Sequence, residues 1–293
     1  MMQTILRGIV RCCLKPVFAL PLPLGFQRAW VRGFTGLALT PRGTRVAALS
    51  MGIVPAERVH NIATEGDAVI LYLHGGAYVL GSPKTHRALT AHLAKAARAS
   101  VYALDYRLAP EHPHPAALED ALSAYRWLLD QGHDPRKISI AGDSAGGGLA
   151  LATALAIRDA GLPAPAALVL LSPWTDMTMS GESFTRNAAL DPMLHRTWAV
   201  TSTRQYCGTL PHDHPACSPL FADLHGLPRM LIQVGSDEIL LSDSDRFAEK
   251  ARTAGVDVKL RRFDGLWHVF QLHAGMLKAA DAAIKEIAEF LRG

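Results

Sequence analysis

A run of small residues, Gly142-Asp143-Ser144-Ala145-Gly146-Gly147-Gly148, joins a short apolar segment to an Ala- and Leu-rich one, and it limits the possible folds more than any other feature of the chain. The segment before it, Lys137-Ile138-Ser139-Ile140-Ala141, reads as a buried strand, and Leu149 to Ile157 reads as a helix. A strand that passes at once into a helix needs a strained, close-packed backbone, which small side chains permit. Ser144 is therefore expected at the apex of a strand-to-helix turn. A pentapeptide of this kind alone also fits a glycine-rich helix start with a capping Ser, so the rest of the chain has to decide.

The same alternation runs through most of the sequence. Residues 44 to 62 read as opening antiparallel strands, followed by parallel-sheet strands near 68–73, 100–104, 137–141, 166–171, 229–234 and 256–263. Helical patterns near 84–98, 115–131, 145–160, 242–254 and 275–292 separate them. This is the order of a doubly wound, mostly parallel sheet flanked by helices, an α/β fold. With 293 residues, 49% of them hydrophobic and 19% charged, the chain can bury one large core. Between Trp174 and Pro228 no strand signal occurs, and a connection that long inside a compact domain is usually functional.

Two other segments complete a chemistry around Ser144. The almost unbroken apolar run Ala68-Val69-Ile70-Leu71-Tyr72-Leu73 leads into His74-Gly75-Gly76-Ala77, where a backbone without Cβ atoms can approach a substrate oxygen. The amides of Gly75 and Gly76, with that of Ala145, are expected to form an oxyanion hole, and His74 to brace the loop. Asp237 follows the strand pattern Met230–Val234 and lies just past its carboxyl end, the edge where open α/β sheets carry their sites. His268 lies in the loop after the alternating stretch 256–263. Ser144 as nucleophile, His268 as general base and Asp237 as orienting carboxylate make an acyl-transfer set. Glu238 is an adjacent rival for the acid, with Asp243, Asp245 and Asp264 near; 243 and 245 are expected in the first turn of the next helix, where carboxylates favour the dipole. The order oxyanion loop, Ser, acid, His is that of the α/β-hydrolase architecture.

These segments, together with Asp105-Tyr106-Arg107-Leu108-Ala109-Pro110-Glu111-His112-Pro113, Leu171-Ser172-Pro173-Trp174, Gly235-Ser236-Asp237-Glu238 and Trp267-His268, resemble the hormone-sensitive-lipase-like (bacterial family IV) carboxylesterases. The resemblance extends from about residue 45 to the C-terminus and implies the same triad, Ser144, Asp237 and His268. The chain departs from the family pattern at Ala77, where a third Gly is usual. Tyr78 falls where the family often has an aromatic residue lining the acyl pocket. The resemblance further implies an α/β-hydrolase domain over 41–293 with a small helical cap, built from residues 1–40 and an insertion at about 175–225. The expected activity is hydrolysis of short to medium acyl esters through an acyl-enzyme, without a cofactor. A lactone hydrolase, such as one acting on monoterpene lactones, and an amidase or arylacetamide-deacetylase-like enzyme would use the same triad. A non-catalytic ligand-binding receptor on a hydrolase scaffold is the reading from another class, and such receptors normally lack a triad member.

Composition removes several other classes. The formal charge is only +4, and the 30 Lys and Arg are spread along the chain, which argues against nucleic-acid binding. There is no self-similar repeat and no glycine fingerprint for a nucleotide phosphate. Arg7, Arg11 and Lys15 ahead of Val17–Leu24 imitate a secretory signal, but Pro16, Pro21 and Pro23 interrupt the apolar stretch. The spacing of Ile5, Leu6, Ile9, Val10 and Leu14 instead predicts an amphipathic surface helix. No apolar run reaches the length of a membrane span. Adjacent Cys12 and Cys13 form no disulfide framework, so a reducing, cytoplasmic location is expected. Cys207, His212, His214 and Cys217 match no usual zinc spacing and are interrupted by Pro211 and Pro215, so no metal is expected.

Three further expectations concern the scaffold. His60, His86, His92, His133, His195 and His225 read as solvated or satisfied surface residues. The proline-rich block from Asp105 to Pro115 reads as rigid scaffold, with Asp105, Arg107 and Glu111 as a charge network bracing the oxyanion loop. The alternating strand near 256–263 is a sheet edge at which a homodimer is conceivable.

Overall fold

The computed structural model describes residues 1–36, 38–64 and 66–293. Its centre is an eight-stranded sheet of β1 (Thr44–Met51), β2 (Val54–Asn61), β3 (Ala68–Leu73), β4 (Ala99–Leu104), β5 (Ile138–Asp143), β6 (Ala167–Leu171), β7 (Met230–Gly235) and β8 (Val258–Phe263). The spatial order is β1-β2-β4-β3-β5-β6-β7-β8. β2 is antiparallel to β1 and β4, and every other pairing is parallel. The five central strands, β3 to β7, are buried along almost their whole length, as their near-continuous Val, Ile, Leu and Ala content requires of strands covered on both faces. The edge strands β1 and β8 alternate or face solvent.

The helices are α1 (Met2–Cys13), α2 (Lys15–Ala19), α3 (Leu24–Thr35), α4 (Pro83–Ala97), α5 (Ala116–Asp130), α6 (Ala145–Asp159), α7 (Ser183–Arg186), α8 (Arg196–Cys207), α9 (Leu241–Thr253) and α10 (Lys278–Arg292). α4 starts on a capping box: Ser82 accepts from the Thr85 amide, the Thr85 hydroxyl accepts from the Ser82 amide, and Pro83 occupies the first turn. The sequence pattern predicts a last strand from 256 and a last helix from 275; the structure starts them at Val258 and Lys278. Residues 256–257 belong to the turn instead, where Asp257 O accepts from the Met230 amide. The long connection between β6 and β7 holds α7 and α8 and no strand.

α1 buries Leu6 and Val10 while Ile5 and Ile9 stay half exposed, a narrower buried stripe than the sequence periodicity marks. Two cationic side chains fasten this N-terminal segment to the connection between β6 and β7. Arg7 donates to Leu190 O at 2.7 Å, and Lys15 donates to Ala188 O at 3.0 Å and Asp191 O at 2.5 Å. The rings of Phe18 and Trp198 stack at 4.3 Å, joining α2 to α8. No helix among the described residues is long and apolar enough to cross a membrane.

Candidate active site

The turn between β5 and α6 has the backbone its composition predicts. Ser144 is held at φ 53° and ψ −121°, outside the regions an L-residue favours. A Cβ at Gly142 would collide with Gly146 O, and one at Gly146 would collide with Leu73 O, so both positions require glycine. The Ser144 side chain caps no amide of α6. It faces a cavity of about 70 Å³ that is also lined by His268, Gly75 and Gly76. The capping-serine reading of the pentapeptide is therefore set aside.

The carboxylate beside His268 belongs to Glu238, not Asp237. His268 Nδ1 lies 2.5 Å from Glu238 Oε2, and both side chains are buried. Glu238 Oε1 accepts from the Gly235 amide and from Ser172 Oγ, each at 2.8 Å, so three donors fix the group. Ser172 Oγ also accepts from the Val269 amide at 3.2 Å, which ties the β6 end to the loop carrying His268. Asp237 points the other way: its Oδ2 accepts from Arg7 Nη1 at 2.6 Å and its Oδ1 from Ser236 Oγ at 2.8 Å. The two adjacent carboxylates project to different sides of the turn, and only that of Glu238 reaches the imidazole. The dipeptide itself carries no signal of which one; the cation that claims Asp237 lies 230 positions away.

Burial works against a charged imidazole at His268, but the Glu238 charge and hydrogen bond, helped by Asp191 and Asp143, outweigh it and raise the pKa above its ordinary value. Asp191 is fully buried and its carboxyl is pushed up chiefly by that burial, with the His268 charge opposing. It accepts from the amides of Met193 and Leu194 through Oδ1 and from the Ile239 amide through Oδ2. It thus clips two cavity-lining residues to the loop that carries Glu238.

The oxyanion loop is also corrected in one donor. The Gly75 amide donates to Asp143 Oδ1 at 3.0 Å and is not free for a substrate oxygen. Among the described residues, the amides of Gly76 and Ala77 take part in no backbone hydrogen bond, and that of Ala145 is the first of α6, where helical N–H groups are unpaired. Gly76 has φ 123° and its Cβ would strike Leu80 O, so this position admits only glycine. His74 braces the loop as expected: Nδ1 lies 2.8 Å from Gly75 O, and the ring stacks on Tyr106 at 4.2 Å. Burial, reinforced by His86, lowers its pKa to about 3, so it stays neutral.

Asp143 is the carboxylate that organises this loop, a role the sequence reading gave to Asp105, Arg107 and Glu111. Besides the Gly75 amide it accepts from Tyr72 Oη at 2.7 Å and faces His86 Nε2 at 3.3 Å. His86 is accordingly a buried partner, not a solvated residue, and the Asp143 charge holds its pKa up against the burial that would lower it. Arg107 pairs instead with Asp120 and Glu119 of α5, and Glu111 takes both ends of the Arg28 guanidinium at 2.7 Å. The Asp105–Pro115 block supports the loop through neutral groups: Tyr106 Oη donates to His74 O at 2.6 Å and the Ala109 amide to Tyr78 O at 2.9 Å.

Tyr78 does not line the cavity. It is buried behind the loop, with its ring stacked on Tyr206 at 3.6 Å and an interplanar angle of 7°. The cavity wall is drawn instead from α2, α3 and the β6–β7 connection, through Phe18, Val31, Thr35, Met193, Leu194 and Trp198. The periodic signal of α1 gave no warning of these residues, because they meet only when two segments about 170 residues apart close over the sheet. Among the described residues no group of three or more His, Cys, Asp or Glu is suited to a metal ion.

Comparison with known proteins identifies the family. A family model described as alpha/beta hydrolase fold matches residues 70–272. An acetyl-hydrolase of Streptomyces hygroscopicus is 43% identical over 93% of this chain and 89% of its own. An esterase of Acinetobacter venetianus is 43% identical over 76% of this chain and 74% of its own. The crystal structure of an esterase from the bacterial hormone-sensitive lipase family superimposes with a TM-score of 0.95 at 43% identity, covering 99% of this chain and 97% of that one. The chain belongs to the α/β-hydrolase family, within its hormone-sensitive-lipase-like branch of carboxylic ester hydrolases.

Proposed function

We propose that the protein hydrolyses short to medium acyl esters through an acyl-enzyme on Ser144, with His268 as general base and acid and Glu238 as the carboxylate that orients it. The contact between His268 Nδ1 and Glu238 Oε2 at 2.5 Å carries the reading, because it leaves Nε2 to serve a nucleophile in the cavity that Ser144 shares. In an unliganded site the nucleophile–base contact is often long and tightens on substrate binding. Ser144 Oγ attacks the ester carbonyl carbon and its proton passes to His268 Nε2. The alcohol leaves with that proton, and a water activated by the same nitrogen then attacks the acyl-enzyme and releases the acid. The amides of Gly76, Ala77 and Ala145 supply the oxyanion donors, each worth about 3 kcal/mol.

The small cavity at Ser144 supports acyl groups of modest size, and the helices α1–α3 and α8 act as the cap that excludes water from it. The adjacency of Cys12 and Cys13 and the lack of an evenly spaced cysteine framework favour a reducing, cytoplasmic setting. The open edge at β8 is where a second copy would add, and light scattering on the purified protein decides between monomer and dimer. The activity itself is tested by following p-nitrophenyl acetate and butyrate hydrolysis with Ser144→Ala as control. Turnover lost in that variant supports the mechanism, and undiminished turnover overturns it.

A further inference from the structure

The basic residues of the chain are spread evenly, but its acids are not. Residues 1–56 contain seven Lys and Arg and no Asp or Glu; the first acid is Glu57. The whole chain is only +4, so the part after residue 56 is net negative and the positive charge belongs to the segment that carries α1–α3 and β1. Two of its cations are matched by acids from elsewhere, Arg7 by Asp237 and Arg28 by Glu111. Arg11 of α1 and Arg32 of α3 are exposed and form no ion pair among the described residues.

The same segment exposes apolar side chains out of proportion to its length. Of the thirteen large hydrophobic residues left exposed among the described residues, seven lie within residues 1–30. Met2, Ile5 and Ile9 recur at helical spacing along α1, beside the stripe of Leu6 and Val10 that packs inward. On α3, Phe26 and Trp30 stand one turn apart with ring centroids separated by 5.9 Å, while Gln27 and Val31 are buried. The Trp30 indole donates to Cys13 O at 2.8 Å, so the aromatic pair adjoins the end of α1, one turn after Ile9. The five side chains, each 42–48% exposed, form an apolar strip across two helices.

Apolar and aromatic groups on a helix surface that also carries arginine, with no acid, match the chemistry of an anionic bilayer. The apolar groups enter the boundary between headgroups and acyl chains, and the guanidinium groups meet the phosphates. A nucleic acid would match the charge but offers nothing to the aliphatic side chains. A second copy fits worse, because a two-fold contact sets a patch against itself and would bring arginine towards arginine with no acid in the segment to pair them.

We propose that α1 and α3 dock the protein reversibly on an anionic lipid bilayer, with Ile5, Ile9, Phe26 and Trp30 in the interface and Arg11 and Arg32 at its phosphates. The contact is peripheral, since no described helix is long and apolar enough to cross the membrane. It goes beyond the esterase reading and is measured without turnover.

Cosedimentation of the full chain with vesicles tests this. One set is phosphatidylcholine alone, and the other is an equal mixture with phosphatidylglycerol. Wild type is expected to bind the anionic set at least about tenfold more tightly, and to lose about tenfold or more between about 50 and 500 mM NaCl. The double variants Arg11→Glu, Arg32→Glu and Ile5→Ser, Phe26→Ser are each expected to weaken that binding at least about tenfold. All four side chains are exposed, so these variants keep the fold. A control pair at exposed positions elsewhere, Phe221→Ser with Arg136→Glu, should bind like wild type. Equal binding to both vesicle sets, binding to neither, or a loss in the control as large as in the strip variants overturns the proposal. Self-association without lipid that Ile5→Ser, Phe26→Ser abolishes overturns it too, because a second copy would then be the occupant.

Discussion

Glu238 Oε2 stands 2.5 Å from His268 Nδ1, while the side chain of the preceding residue, Asp237, turns outward to Arg7. This division gives two neighbouring carboxylates different partners: one holds the His268 imidazole, and the other fastens the N-terminal helix.

The pH dependence of turnover follows from the first of these. His268 must be neutral to accept the Ser144 proton, and its pKa lies above the ordinary imidazole value despite burial because Glu238 favours the charged form. The acidic limb of kcat/KM is therefore expected above about pH 6.5, with rate rising as pH passes through it. In Glu238→Gln the burial remains and the carboxylate charge is gone, so the limb shifts to lower pH. A profile measured between about pH 5 and 9 checks this; coincident limbs in the two proteins would contradict it.

Arg7 donates to Asp237 Oδ2 at 2.6 Å, to Gly265 O at 3.3 Å and to Leu190 O at 2.7 Å, joining three segments of the chain through one guanidinium. Its side chain is 25% exposed and that of Asp237 20%, so the pair is partly screened. Arg7→Ala is expected to cost about 1 kcal/mol, lowering the melting temperature by roughly 2–4 °C. Because Leu6 and Ile9 of the same helix line a cavity of about 210 Å³ whose wall residues Leu14 and Met193 also border the one at Ser144, KM for medium-chain esters should rise more than KM for acetates. Equal KM changes for both substrates would show that the helix has no part in shaping the pocket.

Asp143 holds the oxyanion loop through the Gly75 amide and Tyr72, and its charge is retained because His86 and Tyr72 offset the burial that would raise its pKa. Asp143→Asn should loosen the loop without removing any group that touches substrate. The expected loss is about 10- to 100-fold in kcat with KM changed by less than about threefold. A rise in KM with kcat unchanged would mean that the loop governs binding and not the oxyanion.

Asp243 carries a separate consequence for stability. Burial, with the Asp176 charge adding to it, raises its carboxyl to about 7 against the opposing amides of Thr175 and Asp176. The folded protein then binds more protons than the unfolded chain between about pH 4 and 7, so this group lowers stability as pH rises through that window. Asp243→Asn keeps an oxygen for the two amides, which donate to Oδ2 at 2.9 Å, and removes the charge. The variant is expected to gain at least about 1 kcal/mol relative to wild type between pH 5 and pH 8. Chemical denaturation at the two pH values measures it, and parallel stabilities across that range would contradict the assignment.

Most of the scaffold was legible because it follows from local rules. The buried runs at 68–73 and 166–171 and the glycine turn at 142–148 dictate strands and a strained elbow whatever surrounds them, and the same order brings Ser144, His268 and Gly76 to one cavity. What escaped depends on partners distant in sequence. The choice between Asp237 and Glu238 turns on where Arg7 lies, and the withdrawal of the Gly75 amide turns on Asp143. His86 looks like any helical surface histidine until Asp143 is seen beneath it, and Tyr78 is drawn from the pocket by its stack with Tyr206. Charge pairing was the least legible: Arg107 and Glu111, which flank the cis Ala109–Pro110 peptide, face α5 and α3 and not the loop they were expected to brace.

The most direct test is the rate of p-nitrophenyl butyrate hydrolysis by Glu238→Gln and Asp237→Asn, measured side by side with wild type. Loss of the carboxylate that sets the His268 tautomer should reduce kcat by about 10³- to 10⁴-fold in Glu238→Gln. Asp237→Asn should stay within about threefold of wild type, since it perturbs only a partly exposed ion pair. The reverse order, with Asp237→Asn inactive and Glu238→Gln active, would contradict the account.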